Sequence, residues 1–133
     1  MTLNPILSAP PIIQAHILAA LIVAACTPFQ LWGFRKGSRL HRVIGYVWLC
    51  AMLCVVLTSF FITSHFRWNI AGFSVIHGLS AISLVSIIVI IRAARQGAIR
   101  THQSFVYGLT AGFWIAGAFT LTPVRILGSA IWQ

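Results

Sequence analysis

Four of the five histidines in this chain fall into two matched pairs. His16 is followed by His41 after 25 positions, and His77 by His102 after another 25. The pairs are offset by 61 residues, and other residues repeat at that offset: Leu18/Leu79, Ala20/Ala81, Arg39/Arg100 and Tyr46/Tyr107. The pattern predicts a duplicated helical hairpin with one imidazole near each end of each unit. Neutral imidazoles ligate metals, and ionisable residues inside a membrane are functional by default.

Few other side chains can do chemistry. The chain has nine Lys/Arg and no Asp or Glu, so no carboxylate acid pair, calcium site or carboxylate proton relay is available. Cys26, Cys50 and Cys54 lie within apolar runs. An odd number of such thiols is not a disulfide framework, and they read as small apolar fillers. Cys50 and Cys54, one turn apart, are a conceivable metal or redox pair. His65 has no repeat partner and falls in a loop.

The elements that position the histidines follow from hydropathy. The residues are 59% hydrophobic and the mean hydropathy is +0.97, too apolar for a soluble domain of 133 residues. The basic residues sit in short gaps between long apolar runs, which excludes a nucleic-acid-binding face and indicates a lipid bilayer. The runs cover about 12–32, 41–64, 70–91 and 102–121. Each approaches the roughly 20 residues that cross the hydrocarbon as a helix. The expected fold is an all-α membrane protein: one domain, an up-down bundle of four transmembrane helices made of two repeated hairpins.

Pro10 and Pro11 suit a helix start, and Pro28 is expected to kink or loosen the inner end of the first run. Met1–Pro11 lacks the basic start of a signal peptide. The tail from Pro123 is expected at the interface with Trp132 as an anchor, and Trp32 and Trp68 as belt residues. Seven Lys/Arg fall in the first and third connections; Arg67 and Arg125 are the others. The positive-inside rule then puts the two basic loops in the cytoplasm and both termini outside, in a cell inner (plasma) membrane.

That topology places His16 with His77 near the outer face and His41 with His102 near the inner face. Each pair sits on diagonal helices, roughly 11–14 Å apart if neighbours pack at 8–10 Å. Such a gap suits two imidazoles reaching one iron, so His16/His77 and His41/His102 are expected to ligate two b-type hemes. A bare zinc or copper ion would need more ligands. Ala19, Ala20, Gly45, Ser80 and Ala81 lie one turn from the histidines and would leave room for a flat ring; at His102 the equivalents are Phe105 and Val106. Arg39, Arg42 and Arg100 are candidate partners for heme propionates. Gln30, close in depth to His41, is placed to hydrogen-bond that ring or a quinone carbonyl, with packing its more ordinary role. The tyrosines are interface aromatics or pocket groups, and the glycines allow close helix approach or room for a ring.

Two stretches carry a resemblance: Thr27-Pro28-Phe29-Gln30 with Arg39-Leu40-His41-Arg42-Val43-Ile44-Gly45-Tyr46, and Arg100-Thr101-His102-Gln103. They resemble an uncharacterised bacterial family of four-helix membrane proteins, over most of the chain. Gln103 and Tyr46 stand where basic residues would be expected. In architecture the chain is also similar to diheme transmembrane cytochromes b of the b-561 class. That likeness implies a membrane oxidoreductase moving electrons between small donors, quinone or a redox partner protein. The alternative is a cofactor-free scaffold or small subunit of a membrane complex, its +9 charge docking an acidic partner or anionic lipid. Homodimerisation is open under both. A transporter of parallel repeats would need broken helices at matched positions, yet Pro28 has Val89 as its counterpart.

Overall fold

The computed structural model describes residues 4–62 and 75–121. His65, Arg67, Trp68, Gly72, Arg125 and Trp132, the second connection and the C-terminal tail lie outside the described residues. The chain is an all-α, four-helix membrane-type bundle. A short helix α1 (Asn4–Leu7) precedes four long ones: α2 (Pro11–Pro28), α3 (Arg39–Phe61), α4 (Val75–Arg95) and α5 (Ile99–Thr120).

Local chemistry sets each boundary. Pro11 opens α2 behind an extended Pro10, where its missing N–H costs nothing. The Gln14 amide then donates to the carbonyls of Leu7 and Ala9 at 3.0 and 2.9 Å, fastening α1 to α2. Pro28 cannot donate to the carbonyl four residues back, and the α-ladder gives way there to a π-helical turn, Phe29–Gly33. The expected loosening is therefore a wide turn. Lys36 caps it, its Nζ donating to the carbonyls of Gln30 and Leu31 at 2.6 Å each. A cation at a helix C-terminus also suits the dipole.

Gly37, at φ 79°, turns the chain into α3. Ser38 caps that helix, its hydroxyl accepting from the His41 backbone N–H at 3.2 Å, so α3 begins two residues before His41. α4 closes with a left-handed Gly97, φ 70°, and the bonds Ala98 N–H to Ala93 C=O and Gly97 N–H to Ala94 C=O. That crossed pair is a Schellman end. It runs straight into α5, which begins three residues before His102.

Among the described residues the helices pack in chain order, α2 on α3, α3 on α4 and α4 on α5, with no comparable contact closing α5 onto α2. Val23, Trp48, Met52, Val56, Ile87, Ile90, Val106 and Leu109, from all four long helices, form one core. Trp48, 2% exposed, is its largest member. Its indole N–H donates to the Thr27 hydroxyl at 3.0 Å, and that hydroxyl donates to the Val23 carbonyl. Ser59 on α3 and Ser80 on α4 join the two hairpins, hydroxyl to hydroxyl at 2.6 Å.

α2 with its π turn, α3 and α4 are long and apolar enough to cross a membrane on their own. α5 is long enough, about 33 Å at 1.5 Å per residue, but is not among the helices apolar enough to qualify. Its first half carries Thr101, His102, Gln103, Ser104 and Tyr107.

The Trp48–Thr27 contact gives a stability prediction. Replacing Trp48 with Ala opens the core between all four helices and is expected to cost about 3–5 kcal/mol. Thr27→Val keeps the shape and loses only the interhelical bond, about 0.6–1.7 kcal/mol. Unfolding in mixed micelles measures both; equal losses would show that the hydrogen bond, not the ring, holds the site.

Candidate functional site

The imidazoles lie at the two ends of the bundle, called outer and inner after the topology expected from loop charge. What each one touches differs from expectation. At the outer end the His16 Nδ1 meets the Thr58 hydroxyl of α3 at 2.7 Å. Thr58 donates to the Cys54 carbonyl at 2.6 Å, so its oxygen accepts from a His16 Nδ1–H. The His77 ring stands tilted against Phe60, centroids 6.0 Å apart. Ser80, expected to leave room beside His77, is buried and bonded to Ser59. Ala19 is likewise buried in the packing.

At the inner end the Gln30 side-chain nitrogen lies 3.4 Å from His41 Nε2. An amide nitrogen only donates, so His41 accepts at Nε2 and carries its proton on Nδ1. The space that Gly45 opens is filled by the same amide: a Cβ there would stand 3.1 Å from Gln30 Nε2. Gly45 makes room for Gln30, not for a flat guest. His102 Nδ1 donates to the Ile90 carbonyl at 3.1 Å.

The three hydrogen bonds share one feature. His16 bonds α2 to α3, His41 bonds α3 back to the π turn, and His102 bonds α5 back to α4. Each bond stays within its own hairpin; none runs along the α2–α4 or α3–α5 diagonal. Among the described residues no group of three or more His, Cys, Asp or Glu could hold a metal ion. The expectation of two b-type hemes on His16/His77 and His41/His102 is therefore corrected, and with it the diheme electron-transfer cytochrome and its iron and oxidoreductase chemistry. Thr58 meets His16 at Nδ1, the His77 ring stands against Phe60, and the Gln30 amide meets His41 at Nε2.

The inner end does enclose space. A cavity of about 470 Å³ lies where the π turn, α3, α4 and α5 come together. Gln30, His41 and His102 line it with the cations Lys36, Arg42 and Arg95, beside Tyr46 and Tyr107. Of the arginines expected near the inner histidines, Arg42 is on this wall; Arg39 and Arg100 are exposed and off it. Three buried side-chain atoms among the described residues lack a partner: Gln30 Oε1, His41 Nδ1 and Thr110 Oγ1. Two of the three belong to adjoining residues of this wall. Cys26, Cys50 and Cys54 are free thiols, and Cys50 is exposed on the helix surface.

Residues 13–130 match the family described as "Predicted membrane protein (DUF2306)". The chain belongs to that family. This DUF2306 protein is thus a multi-pass membrane protein, in keeping with the resemblance drawn from its Thr27–Gln30, Arg39–Tyr46 and Arg100–Gln103 stretches. No curated protein and no solved structure matches it, and nothing ties it to the b-561 architecture.

Sequence reasoning missed Lys36 as a cap, Thr58 as the partner of His16, and Arg95 on the cavity wall. Thr58 had a signal: its counterpart at the 61-residue offset is Phe119. A hydroxyl in one repeat facing an aromatic in the other marks a place where the two hairpins differ.

Two experiments test the site. In a double-mutant cycle, His16→Phe and Thr58→Val in micelles are expected to show coupling of about 0.6–1.7 kcal/mol. Additive losses would mean that the contact carries no energy. Gly45→Val overfills the niche of the Gln30 amide and is expected to cost about 1–3 kcal/mol. Most of that returns in the Gln30→Ala background; an undiminished cost there would mean the valine strains something else.

Proposed function

We propose that this protein is a cofactor-free small subunit or scaffold of a membrane assembly. The observation that carries the reading is α5. It places Ser104, Gly108 and Gly112 at four-residue spacing along a groove against Ser83 and Ser86 of α4. Small residues at that spacing let a second backbone approach closely, which is how helices associate in lipid. A Cβ at Gly108 would have nothing within 4 Å, so the bundle itself does not need glycine there. His16, His41 and His102, spent on bonds within the hairpins, also fit a structural part better than a catalytic one. The basic α2–α3 and α4–α5 loops support placing that end in the cytoplasm, where a +9 chain without carboxylates favours an acidic partner surface.

Purification of the tagged protein in mild detergent, with heme supplied during expression, tests this. The expected product is colourless and carries one stoichiometric membrane partner, or a second copy of itself. Gly108→Leu should leave the melting temperature nearly unchanged and reduce recovery of the partner at least tenfold. A monomer indifferent to Gly108→Leu would overturn the proposal.

A further inference from the structure

The chain between α2 and α3 is anchored at both ends and loosely held in between. Before it, Thr27 is buried and bonded to Trp48. After it, Ser38 caps α3 on the His41 backbone N–H. Residues 29–37 thus lie between two points where the backbone can turn. Pro28 breaks the α-ladder, and Gly37 is left-handed at φ 79°. Lys36 closes the segment on itself, donating to the carbonyls of Gln30 and Leu31. Those bonds give it a shape without tying it to α3. Among the described residues one side-chain hydrogen bond does tie it there, Gln30 to His41, and at 3.4 Å it is long.

The closed contact is unfavourable in itself. It leaves Gln30 Oε1 and His41 Nδ1 buried without partners. A buried polar atom left unmet costs at least as much as an ordinary hydrogen bond returns. Moving the segment off α3 hydrates both atoms. The duplicated hairpin supplies a comparison. At the 61-residue offset Pro28, Gln30 and Lys36 correspond to Val89, Ile91 and Gly97. There α4 runs unbroken to Arg95 and ends in its Schellman closure, and no buried side-chain atom is left unmet. The first hairpin carries hinges and an unmet polar pair where the second is braced. Local opening is drawn from segments of the first kind.

The consequence falls on His41. Gln30, Leu31, Lys36 and Gly37 line the inner cavity together with His41 and His102. His102 is bonded through Nδ1 to the Ile90 carbonyl, which leaves its Nε2 accessible. His41 has Nε2 against Gln30 and Nδ1 buried. We propose that residues 29–37 are a strap that swings off α3 between Pro28 and Gly37 and uncovers the His41 imidazole. With the strap closed the cavity presents one imidazole; with it open, two. The device stands apart from the α4–α5 groove and holds whether or not a protein partner docks there.

Hydrogen exchange and diethyl pyrocarbonate labelling of the full chain in micelles, both read by mass spectrometry, test the strap. Amides of the π turn, Phe29–Gly33, should exchange at least tenfold faster than those of the matched residues 90–94. In the wild-type chain His41 should be labelled at least tenfold more slowly than His102. Gln30→Ala removes the tether and should raise the His41 rate at least tenfold while moving His102 less than threefold. Gln30→Met with His41→Phe removes the polar pair at nearly constant volume and should slow exchange of the π turn at least tenfold. Equal protection of the two segments, which the wild-type chain alone decides, would overturn the swing; so would faster exchange in the double variant, because the pair would then be what holds the strap down. A His41 as reactive as His102 in the wild-type chain, or unmoved by Gln30→Ala, would overturn the cover. Equal rises at both histidines in Gln30→Ala would overturn it too, as general loosening.

Discussion

The constraint on which the rest depends is the absence of Asp and Glu from a chain with nine Lys/Arg. A polar group in a low-dielectric bundle must be paired, and pairing a cation usually falls to a carboxylate. Here that solution is closed. Polar links between helices are therefore made by neutral groups: imidazole to hydroxyl at His16–Thr58, indole to hydroxyl at Trp48–Thr27, hydroxyl to hydroxyl at Ser59–Ser80, amide to imidazole at Gln30–His41. The cations are kept to the helix ends, where water, backbone carbonyls and head groups reach them. Lys36 on the open carbonyls of the π turn is the clearest case.

The duplication explains why the inner histidines sit where they do without a shared ligand. Each follows a short turn and begins a helix, and each reaches back to the helix before it. In the first hairpin the reach ends on a side chain, Gln30; in the second it ends on a backbone carbonyl, Ile90. Position 91, the counterpart of Gln30, is isoleucine, so the second hairpin has no amide to offer. The same imidazole therefore locks both hairpins by different chemistry. Diagonal ligation would have needed all four rings to face the bundle axis, and that axis is filled by Trp48, Met52, Val23 and Ile90.

Much of the fold was legible because lipid leaves few options. Long apolar runs separated by basic turns yield helices in up-down order, and the described helices follow the expected ones with shifts at their boundaries. Those shifts have a local reason: Ser38 is a cap that the hydropathy of the run does not register, and the Gly97 end extends α4 to Arg95. The depth of the histidines was legible for the same reason. Their partners were not, because periodicity gives depth and says little about rotation. Thr58 against His16, and Gln30 in the niche at Gly45, depend on how α2 and α3 turn toward each other. Small residues beside a histidine read as room for a ring, when the room is for a neighbouring side chain.

Packing in chain order has a further consequence. Among the described residues α5 makes no packing with α2 comparable to that between successive helices, and such a bundle leaves more helix surface outside than a closed ring does. On α2 and α3 that surface is apolar, with Leu18, Leu21, Val43 and Val47 exposed, and lipid covers it at no cost. On α5 it includes Ser104 and Tyr107 beside glycines, and lipid has no hydrogen bonds to give them. A helix of that composition is stable in a membrane when another polypeptide, a polar head group or water meets its polar half. The asymmetry between an apolar first hairpin and a more polar last helix thus gives the bundle a front and a back. It locates the groove on the second hairpin, lined by α4 and α5, while the basic cavity lies between the two hairpins.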